Sequence, residues 1–166
     1  LTALPLLVRL DSGHDALDNR VDLHDADQVD FIIKWNPRKQ DAEAWLAYAD
    51  QHGQWTVPRE GKRVALFSVN EQHSRNGKTY TCRRVMQITE RTMTPQGQLL
   101  LIPDIEIEGW WTSLDAADYD HPLIIALYHD HATAEQFHSE FKTDLDIERL
   151  PSGKFATNDL IMSLSA

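Results

Sequence analysis

Leu4-Pro5-Leu6-Leu7-Val8-Arg9-Leu10-Asp11-Ser12-Gly13 opens on a short apolar run and stops at an acid followed by two turn-forming residues. A run of this length bounded by a turn signal predicts a buried strand over about residues 3–11, with Ser12-Gly13 turning the chain into a helix over 15–27. Asp30-Phe31-Ile32-Ile33-Lys34-Trp35 predicts the next core strand, and a helix over about 40–52 follows it. An acid at the C-terminal edge of a strand in an open α/β sheet sits where ligands and metals bind, so Asp11 is the first candidate for chemistry.

The second stretch is Tyr128-His129-Asp130-His131-Ala132-Thr133-Ala134-Glu135-Gln136-Phe137-His138-Ser139-Glu140-Phe141-Lys142, within a helix expected over about 123–145. At about 100° per residue, Tyr128, Glu135 and Lys142 drift only about 20° per seven-residue step, and His131 joins them on the same stripe. One helix face thus carries a metal-capable carboxylate flanked by groups that can bind phosphate. A surface helix of mixed charge would have the same composition.

The spacing of Tyr128, His131, Glu135 and Lys142 resembles the Tyr-Arg-Glu-Lys signature of DDE transposases of bacterial insertion sequences, with His131 in place of the arginine. Arg9-Leu10-Asp11-Ser12-Gly13 resembles the Arg-x-Asp-Ser-Gly strand end that carries the second Asp of that triad. Trp110-Trp111-Thr112-Ser113-Leu114 is similar to the strand preceding the Glu helix, and Phe155-Ala156-Thr157-Asn158 to the start of the helix after it. The resemblance covers nearly the whole chain. It implies an α/β, ribonuclease H-like catalytic core with an antiparallel β-rich lobe inserted between the second Asp and the Glu. In those terms residues 1–40 are the second-Asp half of the core, 41–114 the inserted helix and β-rich lobe, and 115–166 the Glu-bearing helix and the helix after it. The first Asp of such triads lies on an earlier strand, for which there is no room before Leu4. The expectation is therefore a C-terminal part of the catalytic domain, with a partial core missing its first strands, inactive by itself.

The implied chemistry is metal-dependent DNA strand cleavage and transfer. A phosphodiester is attacked in line by water or a 3′-hydroxyl, and two Mg (or Mn) ions about 3.5–4 Å apart activate the nucleophile and stabilise the leaving oxygen. Asp11 and Glu135 would hold those ions in hard oxygen coordination. Lys142 and Tyr128 would hold the DNA phosphate as a point charge and a hydrogen-bond donor, and His131 would do so without the bidentate fork of an arginine. The implied partner is double-stranded DNA, both transposon ends and target, with a homodimer in the synaptic complex and a bacterial, cytoplasmic setting.

Composition agrees with a folded chain: 166 residues with 42% hydrophobic content can bury a core. No run approaches the length of a membrane span, and Leu4–Leu10, interrupted by Pro5, is too short for a signal-peptide core. The single Cys82 excludes an internal disulfide framework, and its alternating context reads as a small core residue.

The net charge of -10 looks wrong for a DNA-binding protein until it is divided along the chain. Residues 1–30 hold seven Asp against Arg9 and Arg20, and residues 110–150 hold nine acids against Lys142 and Arg149. Residues 58–91 instead hold eight bases against Glu60, Glu71 and Glu90, a net +5. Acid gathers in the segments bearing Asp11 and Glu135, which suits divalent cations, and base gathers in the middle, which suits phosphate backbone.

That middle reads as an antiparallel meander. Val64–Val69 and Thr79–Ile88 flank Arg75-Asn76-Gly77-Lys78, where Asn-Gly is the strongest short hairpin signal. A second turn at Thr94–Gly97 leads to Leu99–Pro103 and Asp104–Glu108. Lys78, Arg83 and Arg91 are its candidate DNA contacts, although Arg83 and Arg84 alternate, so only one of them can share a surface with Lys78. A non-catalytic DNA-binding or protein-interaction domain, worked by this basic hairpin, is the competing function.

Three other constellations carry less. His129 and His131 sit about 200° apart on a helix with no further ligand at zinc spacing. Asp11-Ser12-Gly13-His14 holds acid, hydroxyl and imidazole but lacks the Gly-x-Ser-x-Gly elbow. Trp110 and Trp111 point to opposite faces, so one is expected in the core and the other is a candidate for stacking on an extruded base.

Overall fold

The computed structural model describes residues 4–130. The chain divides into two units at Tyr128/His129, and the described residues fall almost wholly in the first. Candidate residues His131, Glu135 and Lys142, and the Phe155–Asn158 segment, lie outside the described residues.

The strand that ends at Asp11 is β1 (Leu6–Leu10), followed by a single 3-10 turn at Ser12–His14 and by α1 (Leu17–Asp25). β2 (Val29–Lys34) returns beside β1 in parallel, Leu6 opposite Val29 and Leu10 opposite Ile33, so α1 is a crossover connection. Asp41 then caps α2 (Ala42–His52), accepting from the backbone N–H of Glu43 and Ala44.

The rest of the sheet comes from β3 (Gln54–Arg59), β4 (Lys62–Arg75), β5 (Lys78–Met93) and β6 (Leu99–Thr112), before α3 (His121–His129). The order across the sheet is β1-β2-β6-β5-β4-β3, with every pairing after β1–β2 antiparallel. The architecture is therefore mixed α/β with one six-stranded sheet. The expected meander is present, and β6 joins it to β2 through Ile32–Lys34 and Trp110–Thr112. The Asn-Gly signal reads correctly: Asn76 and Gly77 have φ of 50° and 76°, as a two-residue hairpin requires. The segments Leu99–Pro103 and Asp104–Glu108 run as one strand, whose pairing with β5 is irregular between Leu99 and Asp104, where Pro103 has no N–H to give the ladder.

Strand alternation sorts the side chains to two faces. On one, α1 and α2 cover Phe31, Ile33, Trp35, Phe67, Met86, Ile88 and Trp111. On the other, α3 covers Ile32, Val85 and Trp110 with Ile124. Gly109 is a close crossing within the core: a Cβ there would lie 2.9 Å from Trp35 Cε3 and 3.0 Å from Met86 Sδ. Cys82 is buried as expected, and burial pushes its thiol pKa up. The expectation that one of the two tryptophans is available for stacking is corrected. Trp110 and Trp111 do point to opposite faces, but each face is covered and both rings are buried.

Candidate active site

Asp11 follows directly on β1 in extended conformation, and its carboxylate Oδ1 accepts from Gly13 N–H at 2.8 Å, capping the 3-10 turn. A Cβ on Gly13 would stand 3.0 Å from that oxygen, so glycine lets the backbone fold close against the carboxylate. The side chain is exposed, and its Oδ2 remains for a ligand.

Which face Asp11 serves follows from β1. Val8 and Leu10 pack into the core under α1 and α2, whereas Leu7 packs into the cluster under α3. Arg9 Nη1 donates to the Leu127 carbonyl of α3 at 2.9 Å. By the two-residue period Asp11 continues the Leu7–Arg9 row. The acid is thus at the carboxyl end of β1 on the α3 side, two residues beyond the side chain that anchors α3 to this strand.

Tyr128 closes this side from α3. Its half-buried ring lies 6.3 Å from that of Trp110 and 6.0 Å from Lys34 Nζ. Lys34 itself stands 3.9 Å over Trp110 and binds Glu108 at 2.6 Å, with Gln87 donating to the other Glu108 oxygen at 2.9 Å. The loop from β6 to α3 is fixed at both ends. Ser113 Oγ donates to Asp30 at 2.8 Å and accepts from Phe31 N–H, while Asp120 accepts from Leu123 N–H at the start of α3.

The three hairpin bases do not share one surface. Lys78 lies on the α1 side, bonded to Asp25, which also accepts from Tyr80 Oη at 2.8 Å. The hydrogen bond from Lys78, then that from Tyr80, holds the Asp25 carboxyl below its usual range. Arg75 adds a bond to Asp22 at 2.7 Å, so the hairpin tip is pinned to α1. Arg83 and Arg91 point to the opposite face. Arg83 is turned inward, donating to the carbonyls of Leu114 and Tyr119 at 3.2 and 3.0 Å, and burial lowers its pKa. Arg91 binds Asp104 at 2.9 Å and also Glu106.

Among the described residues no three His, Cys, Asp or Glu side chains come together as a metal site. Asp11 is the one sequence-singled acid that can be described, and its expected partner Glu135 lies outside the described residues. No helix among the described residues is long and apolar enough to cross a membrane.

Sequence reasoning passed over Arg20 and Arg84, both buried on the α1 side. The signal was available for Arg84: Tyr80, Cys82, Met86 and Ile88 alternate toward one face, and Arg84 is the lone charge in that row. Arg20 sits beside buried Val21 in a helix rich in aspartate, and nothing local separates it from a solvated arginine.

No curated protein matches the chain. A family model described as Transposase DDE domain matches residues 2–166, nearly its full length. That match over nearly the whole chain places this protein in the Transposase DDE domain family, whose activity is the DNA cleavage and transfer of transposition.

Proposed function

We propose that this chain is the second-Asp and Glu portion of a transposase of the Tyr-Arg-Glu-Lys group of bacterial insertion sequences, with Asp11 and Glu135 as its catalytic carboxylates. The observation that carries the reading is the Arg9–Leu127 bond. It ties the strand that delivers Asp11 to the helix whose sequence continues toward Glu135. In this reading residues 1–40 and 115–166 are parts of a ribonuclease H-like core, and 41–114 is an insertion whose last strand, β6, lies beside β2.

The donor chemistry of Asp11 fits a divalent ion: it is an exposed carboxylate held by one backbone N–H, with an oxygen to spare. Asp11 and Glu135 would hold Mg (or Mn), which when bound stabilises charge on the attacking and leaving oxygens. Tyr128, His131 and Lys142 would position the phosphate, the tyrosine by its hydroxyl and the other two by N–H donors. Of the hairpin bases, Lys78, exposed at the tip, would add sequence-independent affinity for duplex DNA, exchanging Asp25 for phosphate oxygens. Two copies would meet in a synaptic complex on paired transposon ends.

The test is Mn²⁺ affinity of the 166-residue chain, read by electron paramagnetic resonance of the free ion. Asp11→Asn and Glu135→Gln should each weaken binding by about tenfold or more, whereas Asp27→Asn, an exposed acid elsewhere, should not. In a transposition-competent protein carrying this chain, either substitution should abolish metal-dependent nicking of end DNA. Unchanged Mn²⁺ affinity in both variants would remove these residues from the metal site.

A further inference from the structure

On the side of the sheet away from α3, a cavity of about 340 Å³ opens where β1 and β2 end, lined among others by Asp15, Asn36, Arg38, Glu71, Arg84 and Trp111. Arg38 and Gln40 stand exposed at its mouth, while Arg20, Arg84 and Trp111 in its wall are 6%, 5% and 2% exposed. Both buried guanidiniums lie against Trp111, Arg20 at 4.1 Å and Arg84 at 4.6 Å from the ring centre, and Arg84 also lies 4.3 Å from the centre of Trp35.

The carboxylates present are already engaged. Asp15 binds Arg20 through Oδ1 at 2.6 Å and accepts from Asn36 N–H through Oδ2 at 2.9 Å. Glu71 binds Arg84 at 2.6 Å through one oxygen, and its other lies 3.6 Å from His73. Three guanidiniums therefore face two carboxylates, a surplus of one positive charge. Arg20 Nε, Arg84 Nε and Trp111 Nε1 are buried donors with no partner, which is a costly state unless an acceptor arrives. The first turn of α1, whose cap Ala16 offers no side-chain acceptor, lines the same cavity.

Donors in excess, positive charge and an uncapped helix start select an anion rich in acceptor oxygens, and guanidinium forks match phosphate in particular. We propose that this cavity is a phosphate-binding site, and that its physiological occupant is a backbone phosphate of the DNA on which the protein acts. The second half rests on the transposase reading; the first does not. The site would grip DNA on the face opposite the one Asp11 serves, at the same end of the sheet.

The test is titration of the 166-residue chain with inorganic phosphate at constant ionic strength, read by tryptophan fluorescence, since Trp35 and Trp111 line the cavity. A saturable change with phosphate and none with chloride is expected. Arg84→Gln should weaken it by about tenfold or more. Arg38→Gln at the exposed mouth should weaken it in a protein of unchanged thermal stability, and Glu71→Gln should tighten it. The two rim and acid variants decide the matter if Arg84→Gln does not fold. No saturable response in the wild type, or equal phosphate affinity in Arg38→Gln and Glu71→Gln, overturns the site. A short duplex oligonucleotide should displace phosphate; failure to do so overturns the DNA half alone. Asp11→Asn should leave phosphate affinity unchanged, so this outcome and the Mn²⁺ outcome fail independently.

Discussion

Replacing Arg9 with methionine would test the joint on which the active-site reading depends. Arg9 is a half-buried strand residue whose guanidinium donates to the Leu127 carbonyl, so methionine keeps most of the apolar stem and deletes only the charged donor. A hydrogen bond from a charged group contributes about 1.5–3 kcal/mol, and partial exposure here favours the lower end. For a chain of this size about 1.5 kcal/mol is a fall in Tm of roughly 3–6 °C. The loss should be local as well as global. Amide exchange in the last turn of α3 should quicken by about tenfold, while the central pairs of β4 and β5 keep their protection. If α3 brings the second metal ligand, Mn²⁺ affinity should fall in Arg9→Met although no carboxylate has been touched. Unaltered exchange in α3 would dismiss the Arg9 tether, and a freed α3 with unaltered Mn²⁺ affinity would dismiss its part in the metal site.

Gly109→Ala places a methyl within 2.9 Å of Trp35 and 3.0 Å of Met86, and overpacking of that kind should cost about 1–3 kcal/mol, measured by urea denaturation. His121, bonded to Ser68 Oγ at 3.1 Å, is held below its ordinary 6.5 by burial and then by Arg83. The unfolded chain therefore binds this proton first, so its contribution is complete above pH 6.5 and is lost as pH falls through the lower folded value. His121→Asn should flatten stability against pH in that window, and an unchanged slope would dismiss the linkage. For the hairpin, Lys78→Ala at its exposed tip should bind duplex DNA more weakly with a shallower salt dependence. Equal affinity and slope would take the hairpin tip out of the interface.

Much of the fold was legible in local signals, because their physics is local. The apolar run that stops at Asp11 and the positive-φ pair Asn76-Gly77 each fix a strand end or a turn within a few residues. The alternation around Arg83 and Arg84 fixed that they face opposite ways. What each face meets is a different matter. Lys78, Arg83 and Arg91 are alike in sequence, yet one is pinned to α1, one supports the loop before α3 and one binds β6, since partners 13 to 53 residues away in sequence are chosen only when the strands align.

Residue order alone marks this as a folded α/β chain with an acid at the end of its first strand. The tertiary structure decided that β6 lies beside β2 and that Arg9 reaches α3. It also decided that both adjacent tryptophans are buried, and that Arg20 and Arg84 gather around Trp111 with their Nε donors unpartnered. The division has a physical reason. Backbone preference and side-chain period act within a turn or a strand, whereas burial and charge pairing depend on which distant element folds over a residue, and no local pattern carries that information.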